Sequence, residues 1–150
     1  MARIIKKLII HCSDSPDTMD IGVKEISEWH KARNFPPYLS PTGPIFCGYH
    51  KVIRLSGFLE TARPDVVPGV HCSGENHDSL AVCFVGKQLK NLQHQCLNQV
   101  LTLWLNVHNL SIDDVYGHYE WNKTGKTCPN IEMKEFREKL KGELYGISNG

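Results

Sequence analysis

The chain of 150 residues lacks any long apolar run. No stretch approaches the roughly 18 consecutive apolar residues that a membrane-spanning helix requires. The first residues also lack the apolar segment and the small-residue cleavage site of a secretory signal. We therefore expect no membrane insertion, and we expect the chain to be made and folded in the cytoplasm.

An excess of charge of one sign is also missing, since 17 Lys and Arg stand against 16 Asp and Glu. This balance gives no general electrostatic attraction to nucleic acid or to an anionic membrane, so neither is expected as a partner. Hydrophobic residues make up 41% and charged residues 22%, as in ordinary globular proteins, and this length supplies one core. We predict a single domain over residues 1–150, acting as a monomer.

Several common site signatures are absent. There is no Cys-x-x-Cys and no His-Glu-x-x-His, which excludes the usual zinc-finger and metalloprotease patterns. Residues 125–127 (GKT) lack the upstream glycine of a phosphate loop, because Glu120 stands in its place. Six cysteines without an export signal favour reduced thiols over a disulfide framework.

Hydrophobic periodicity predicts the element order β-α-β-β-β-α-β-α. Residues 34–48 hold four prolines and two glycines, which predicts a long surface loop, and the chain from residue 63 to 79 is predicted as a second loop. Trp29 and Trp104 lie on helical apolar stripes and are expected in the core. The pattern predicts an α/β fold with one mixed β-sheet flanked by helices. The strands are expected at residues 8–13, 49–55, 58–60, 80–85 and 115–116, and the helices from about residue 20, over 89–108 and over 133–140.

Two polar regions of the sequence carry residues that core packing alone does not explain. His11 ends a buried strand just before a polar turn, and residues 117–129 form a polar loop that carries His118 and Cys128. Imidazole and thiolate are good zinc ligands, and three protein ligands leave the fourth position open for water in catalytic zinc sites. Successive strand residues point to opposite faces, so only one of His11 and Cys12 faces the site, and the cysteine suits the core. From the residues alone, His11 as a buried core histidine remains an alternative.

Six short strings occur in an order that carries a family resemblance. Together they resemble the zinc-dependent N-acetylmuramoyl-L-alanine amidases, the family of phage lysozyme-like endolysins and peptidoglycan recognition proteins. The resemblance covers about residues 8–140 and implies a single α/β domain with a zinc site in a surface groove. The strings are residues 9–13 (IIHCS), 23–31 (VKEISEWHK), 48–50 (GYH), 76–80 (NHDSL), 82–86 (VCFVG) and 126–129 (KTCP).

The resemblance also implies the site residues. One zinc ion per chain would be held by His11, His118 and Cys128, and the catalytic partners would be Tyr49 and Lys126. The implied reaction is hydrolysis of the amide between N-acetylmuramic acid and L-alanine in peptidoglycan. The implied setting is a phage or prophage endolysin that acts on the cell wall after release.

Two other function classes stay open at this stage. One is a peptidoglycan-recognition module that holds a muropeptide without cutting it, although the presence of Tyr49 and Lys126 favours an enzyme. The other is a cysteine hydrolase in which Cys128 or Cys72 attacks as a thiolate beside a histidine. His71 is a candidate for assisting the site without an assigned role. For Trp121, substrate contact and packing are both open.

Overall fold

Five strands follow one another between the first two α-helices of the chain. The structure is a computed structural model that describes residues 2–122 and 124–145. Residue 123 of the polar loop, and both ends of the predicted domain 1–150, lie outside the described residues. The elements are β1 (Lys7–Cys12), α1 (Val23–Ala32), β2 (Tyr38–Ser40), β3 (Gly43–Ile45), β4 (Lys51–Ile53), β5 (Leu59–Thr61), β6 (Ser79–Phe84), α2 (Asn91–Val107), β7 (Val115–Gly117), α3 (His118–Trp121) and α4 (Met133–Tyr145).

Five strands form one mixed sheet in the order β5-β4-β6-β1-β7. Strands β4, β6, β1 and β7 run parallel, and β5 pairs antiparallel with β4. Every residue of β1 and β6 is buried, as expected for central parallel strands that are covered on both faces. The predicted fold class, an α/β fold with a mixed sheet flanked by helices, is confirmed.

Two apolar clusters cover the two faces of this sheet. The larger cluster packs α2 and α4 against alternate residues of β1, namely Leu8, Ile10 and Cys12. The smaller cluster packs Ile26 of α1 and neighbouring loops against the other face. Since His11 lies between Ile10 and Cys12 in the strand, its side chain points away from the larger cluster. Within the described residues, no helix combines the length and the apolar character needed to cross a membrane.

The predicted loop over residues 34–48 contains a two-stranded antiparallel ribbon, β2 with β3, so this prediction was wrong. The prolines led to the loop prediction, because proline cannot donate a hydrogen bond to a neighbouring strand and normally argues against a strand. Both strands of a ribbon are edge strands, however, so Pro44 is tolerated opposite Leu39. The polar loop 117–129 likewise begins with one helical turn, α3, which is too short to show a periodicity.

Two predictions about the core were also wrong. Trp29 is 40% exposed rather than buried, although Trp104 lies in the core as expected. The helical spacing of apolar residues over 89–108 also predicts three buried residues that in the structure face solvent, and the buried stripe of α2 includes Leu101 and Leu105 instead. Apolar residues lie on more than one face of this helix, so their spacing along the sequence does not show which face is buried. The three exposed residues are Leu92, Leu103 and Val107.

Gly48 brings two segments of the site into contact. Its carbonyl accepts the Val70 N–H at 3.0 Å, and its own N–H donates to Nδ1 of the buried His30 at 2.9 Å. A Cβ atom at this position would stand 1.9 Å from the Val70 carbonyl oxygen. Only glycine permits this approach, which places Tyr49 and His71 on either side of the contact.

We predict that Gly48→Ala lowers the free energy of unfolding by more than about 2 kcal/mol, because the new Cβ displaces backbone rather than a mobile side chain. Urea unfolding monitored by circular dichroism measures this. The matched control is Gly142→Ala in α4, where no atom lies within 4 Å of the new Cβ. That change is expected to stabilise the helix by about 0.5–1 kcal/mol. Equal effects of the two substitutions would contradict the role given to Gly48.

Candidate metal centre

Three predicted ligands meet at the carboxyl ends of the parallel strands. His11 is the penultimate residue of β1, and His118 follows β7 directly as the first residue of α3. The third, Cys128, lies in the loop between α3 and α4. One potential ligand atom from each of these side chains lies within 4.8 Å of the other two. The structure therefore brings together the residues that the resemblance assigned to the metal.

The loop holds Cys128 in place through its backbone. The Cys128 carbonyl accepts the Tyr119 N–H at 2.9 Å, and its Sγ accepts the Cys12 N–H at 3.3 Å. The next residue, Pro129, packs against Gly117, where a Cβ atom would stand 2.9 Å from the proline ring. A glycine at the end of β7 thus allows the cysteine loop to reach the histidines.

An ion pair fixes α3, which carries His118. The carboxylate of Glu120 forms two hydrogen bonds with the guanidinium of Arg137, at 2.8 and 3.0 Å. The same carboxylate accepts the Gly117 N–H at 2.9 Å, and Arg137 also donates to the Val115 carbonyl at 3.0 Å. Such a two-pronged pair restricts orientation as well as distance. It ties α3 to both β7 and α4.

The histidines of the centre are held in their neutral form. Burial is the largest cause that lowers the pKa of His11 and of His71 well below the ordinary value, and the neighbouring imidazoles lower it further. Burial also lowers the pKa of His118, followed by the positive charge of Lys126. The ring centroids of His11 and His118 are 4.5 Å apart. A neutral imidazole is the form that binds a metal.

All five predicted site residues line one groove of about 740 Å³. The Tyr49 ring centroid lies 4.9 Å from that of His11, and burial raises the pKa of its hydroxyl well above the ordinary value. Lys126 is an exposed residue of the groove, and its charge acts on His118. Trp121 packs edge-on against Tyr116 and does not line the groove.

Two further residues line the groove: His71, which sequence reasoning left as a candidate without an assigned role, and Arg33, which it missed. His71 lies beside the predicted ligands, with Nδ1 2.9 Å from Nε2 of His11, and Arg33 directly follows the last residue of α1. A loop position carries no periodicity from which the direction of the His71 side chain could be read. Arg33 lies among other charged and polar residues at the end of α1, and no sequence motif distinguishes it from them.

The donor set fits zinc by its chemistry. Two imidazoles and one thiol are borderline-soft ligands, which suit zinc rather than calcium or magnesium. No carboxylate belongs to the cluster within the described part of the chain. A set of three leaves room for a fourth ligand from solvent or substrate, as in catalytic zinc sites.

Comparison with known sequences identifies the relatives of this chain. No protein-family model matches it. An endolysin of Enterobacteria phage K11 is 38% identical over 153 residues, covering 96% of this chain and 91% of the relative. An endolysin of Klebsiella phage KP32 is 30% identical with the same coverage. The chain belongs to the phage endolysin family. The endolysin of Escherichia phage T7 is a further relative, at 29% identity over 88% of this chain and 85% of its own length.

Solved structures share the fold of this family member. The N-acetylmuramoyl-L-alanine amidase LysC from Clostridium intestinale URNW matches with a TM-score of 0.73 at 22% identity, over 94% of this chain and 85% of its own. Drosophila PGRP-LB, a peptidoglycan recognition protein, matches with a TM-score of 0.68 at 16% identity, over 99% and 87%. The resemblance to amidases and peptidoglycan recognition proteins is therefore confirmed.

His50, next to Tyr49, has a structural role. It is fully buried, its Nδ1 accepts the Ala81 N–H at 3.0 Å, and its Nε2 lies 2.9 Å from the Val67 carbonyl. Nε2 therefore carries the proton, while a second proton on Nδ1 would break the bond to Ala81. Burial is the main cause that lowers the pKa of His50 to about 4.

We predict that acid destabilises the fold through His50. The unfolded chain takes up this proton near pH 6.5, whereas the folded chain resists it until about pH 4, so the stability is complete above pH 6.5 and is lost as the pH falls towards 4. The loss amounts to roughly 3 kcal/mol. Urea unfolding of the zinc-free protein between pH 7 and pH 4.5 measures it. His50→Gln should reduce the dependence by about this amount without abolishing it, because burial lowers the pKa of His11 and His71 as well. His77→Gln, at an exposed side chain, should leave the dependence unchanged. A stability that rises on acidification would contradict this prediction.

Proposed function

We propose that this endolysin-family protein is a zinc-dependent N-acetylmuramoyl-L-alanine amidase, which hydrolyses the amide between N-acetylmuramic acid and L-alanine in peptidoglycan. The observation that carries the proposal is the convergence of His11, His118 and Cys128 within 4.8 Å in one groove with Tyr49 and Lys126. Endolysin relatives and the amidase fold support peptidoglycan as the substrate. The protein would be made in the cytoplasm and act on the cell wall after release, as a monomer.

The catalytic roles follow from charge and protonation. His11, His118 and Cys128 would hold one zinc ion, which when bound polarises a carbonyl and lowers the pKa of water. The Lys126 ammonium, close enough to act on His118, would stabilise negative charge on the oxygen of the scissile amide. The Tyr49 hydroxyl, kept protonated by burial, would orient a water molecule or relay a proton.

Two observations bear on the cysteine-hydrolase alternative. Burial raises the pKa of Cys72 to about 11. Hydrogen bonding with the Cys12 thiol, together with burial, raises the pKa of Cys128 as well. A nucleophilic cysteine needs the opposite, a lowered pKa that provides thiolate at neutral pH. Both thiols are thus better suited to packing or to a metal, which itself deprotonates a coordinating thiol.

We predict that metal removal abolishes hydrolysis. The protein should bind about one zinc per chain, release new L-alanine amino groups from purified peptidoglycan, stop doing so after chelation, and recover with added zinc. Zinc analysis and amino-group labelling measure this. Activity that survives chelation but is lost to a thiol alkylator would establish the cysteine mechanism instead. Muropeptide binding without new amino groups would establish a recognition module.

We further predict that Lys126→Ala keeps zinc but slows hydrolysis by about 100-fold, the scale expected for removing one group that stabilises a developing oxyanion. His118→Ala should lose zinc, because it removes a ligand. Lys134→Ala, at an exposed lysine of α4, should change neither property. Metal content by mass spectrometry and the rate of amino-group release separate the three variants. Equal zinc loss in Lys126→Ala and His118→Ala would show that Lys126 is misassigned.

A further inference from the structure

A row of three hydrogen bonds lies behind His11. Its Nε2 is 2.9 Å from Nδ1 of His71, and Nε2 of His71 is 3.0 Å from Oγ of Ser79. The Ser79 hydroxyl in turn donates to the Glu75 carbonyl at 2.7 Å. Ser79 is fully buried, and both ring nitrogens of His71 have a partner. The row therefore ends on a group whose role is fixed, a backbone carbonyl.

That carbonyl determines where each proton lies. A carbonyl only accepts, so the single proton of the Ser79 hydroxyl points to Glu75, and Ser79 Oγ must accept from His71. The proton of neutral His71 is therefore on Nε2, and its Nδ1 carries a lone pair. Nδ1 of His71 then accepts from Nε2–H of His11. The remaining nitrogen of His11, Nδ1, is left with a lone pair.

We propose that His71 and Ser79 are positioning residues, which hold His11 in the tautomer and orientation that direct its Nδ1 to the metal. The inference rests on the proposed function, in which His11 is a zinc ligand. Metal-binding histidines generally donate their second ring N–H to an acceptor, and loss of that acceptor weakens metal binding by about 10–100-fold. Here the acceptor is a neutral imidazole, which orients the ligand without adding negative charge.

The two residues that flank His71 in this row, His11 and Ser79, belong to paired strands of the sheet. Ser79 is the first residue of β6, which pairs in parallel with β1, the strand that carries His11. The loop that carries His71 is fixed by Asn76, whose Oδ1 accepts the backbone N–H groups of His71 at 2.9 Å and Cys72 at 3.0 Å. The direction of the His71 ring is thus set independently of any bound ion.

The tautomers can be measured directly in zinc-free, ¹⁵N-labelled protein. Long-range ¹H–¹⁵N NMR distinguishes a ring with the proton on Nε2 from one with the proton on Nδ1. We expect the Nε2–H form for both His11 and His71. A proton on Nδ1 of His11 would overturn the proposal. Neither outcome depends on hydrolysis of peptidoglycan.

Variants of His71 and Ser79 test the consequence for zinc affinity, measured by competition with a chelator. His71→Leu removes the acceptor and should raise the zinc dissociation constant by about 10–100-fold. His71→Asn keeps an acceptor oxygen near the position of Nδ1 and should recover most of that loss. Ser79→Ala should raise the constant several-fold and give a mixture of His11 tautomers.

The matched control is Ser27→Ala, which removes a hydroxyl that is also bonded to the backbone, accepting the Cys47 N–H at 3.2 Å, at a position that does not line the groove. It should leave zinc affinity unchanged. Equal affinities of the Leu and Asn variants, or of Ser79→Ala and Ser27→Ala, would overturn the proposal. A different result is that the variants show the expected zinc affinities while the wild-type protein releases no amino groups from peptidoglycan. That result would support this inference and contradict the proposed function.

Discussion

The parallel register between β1 and β7 is the constraint on which the rest of the site depends. Ile10 is paired with Gly117, so the residue that follows each of them in the chain is a histidine, and the ring centroids of His11 and His118 lie 4.5 Å apart. A slip of one residue would turn the side chains of β1 to the opposite face. It would place Cys12 at the metal centre and His11 in the apolar cluster under α2. The burial of alternate residues of β1 resists that slip, so core packing and the metal centre specify the same register.

The third ligand depends on packing of a different kind. Cys128 stands on a loop, and its position is set by the contact of Pro129 with Gly117 and by the hydrogen bond from Tyr119. Burial keeps the histidines neutral, ready to bind without losing a proton, whereas the thiol of Cys128 is protonated in the metal-free protein. Metal binding therefore has to release one proton, which couples zinc affinity to pH.

The central fold could be predicted from the sequence because β1 and β6 are short runs of apolar residues between polar turns. The β2–β3 ribbon could not, since its prolines argue against strands, and α3 is too short to show helical spacing. The ligands were assigned by family resemblance. The chain has eight histidines and six cysteines, and their spacing alone does not show which two histidines and which cysteine bind a metal. The roles of His50 and His71 depend on backbone partners that only the folded chain brings near them, such as the Ala81 N–H.

The central claim is that His11, His118 and Cys128 together bind one zinc ion. X-ray absorption at the zinc edge, recorded on the stoichiometric zinc complex, tests it most directly, because sulfur and nitrogen scatter differently. The account predicts one sulfur and two imidazole nitrogens in the coordination sphere, with the remaining position filled by a light atom from solvent. A zinc ion with no sulfur neighbour, or with the same spectrum after Cys128→Ser, would contradict it.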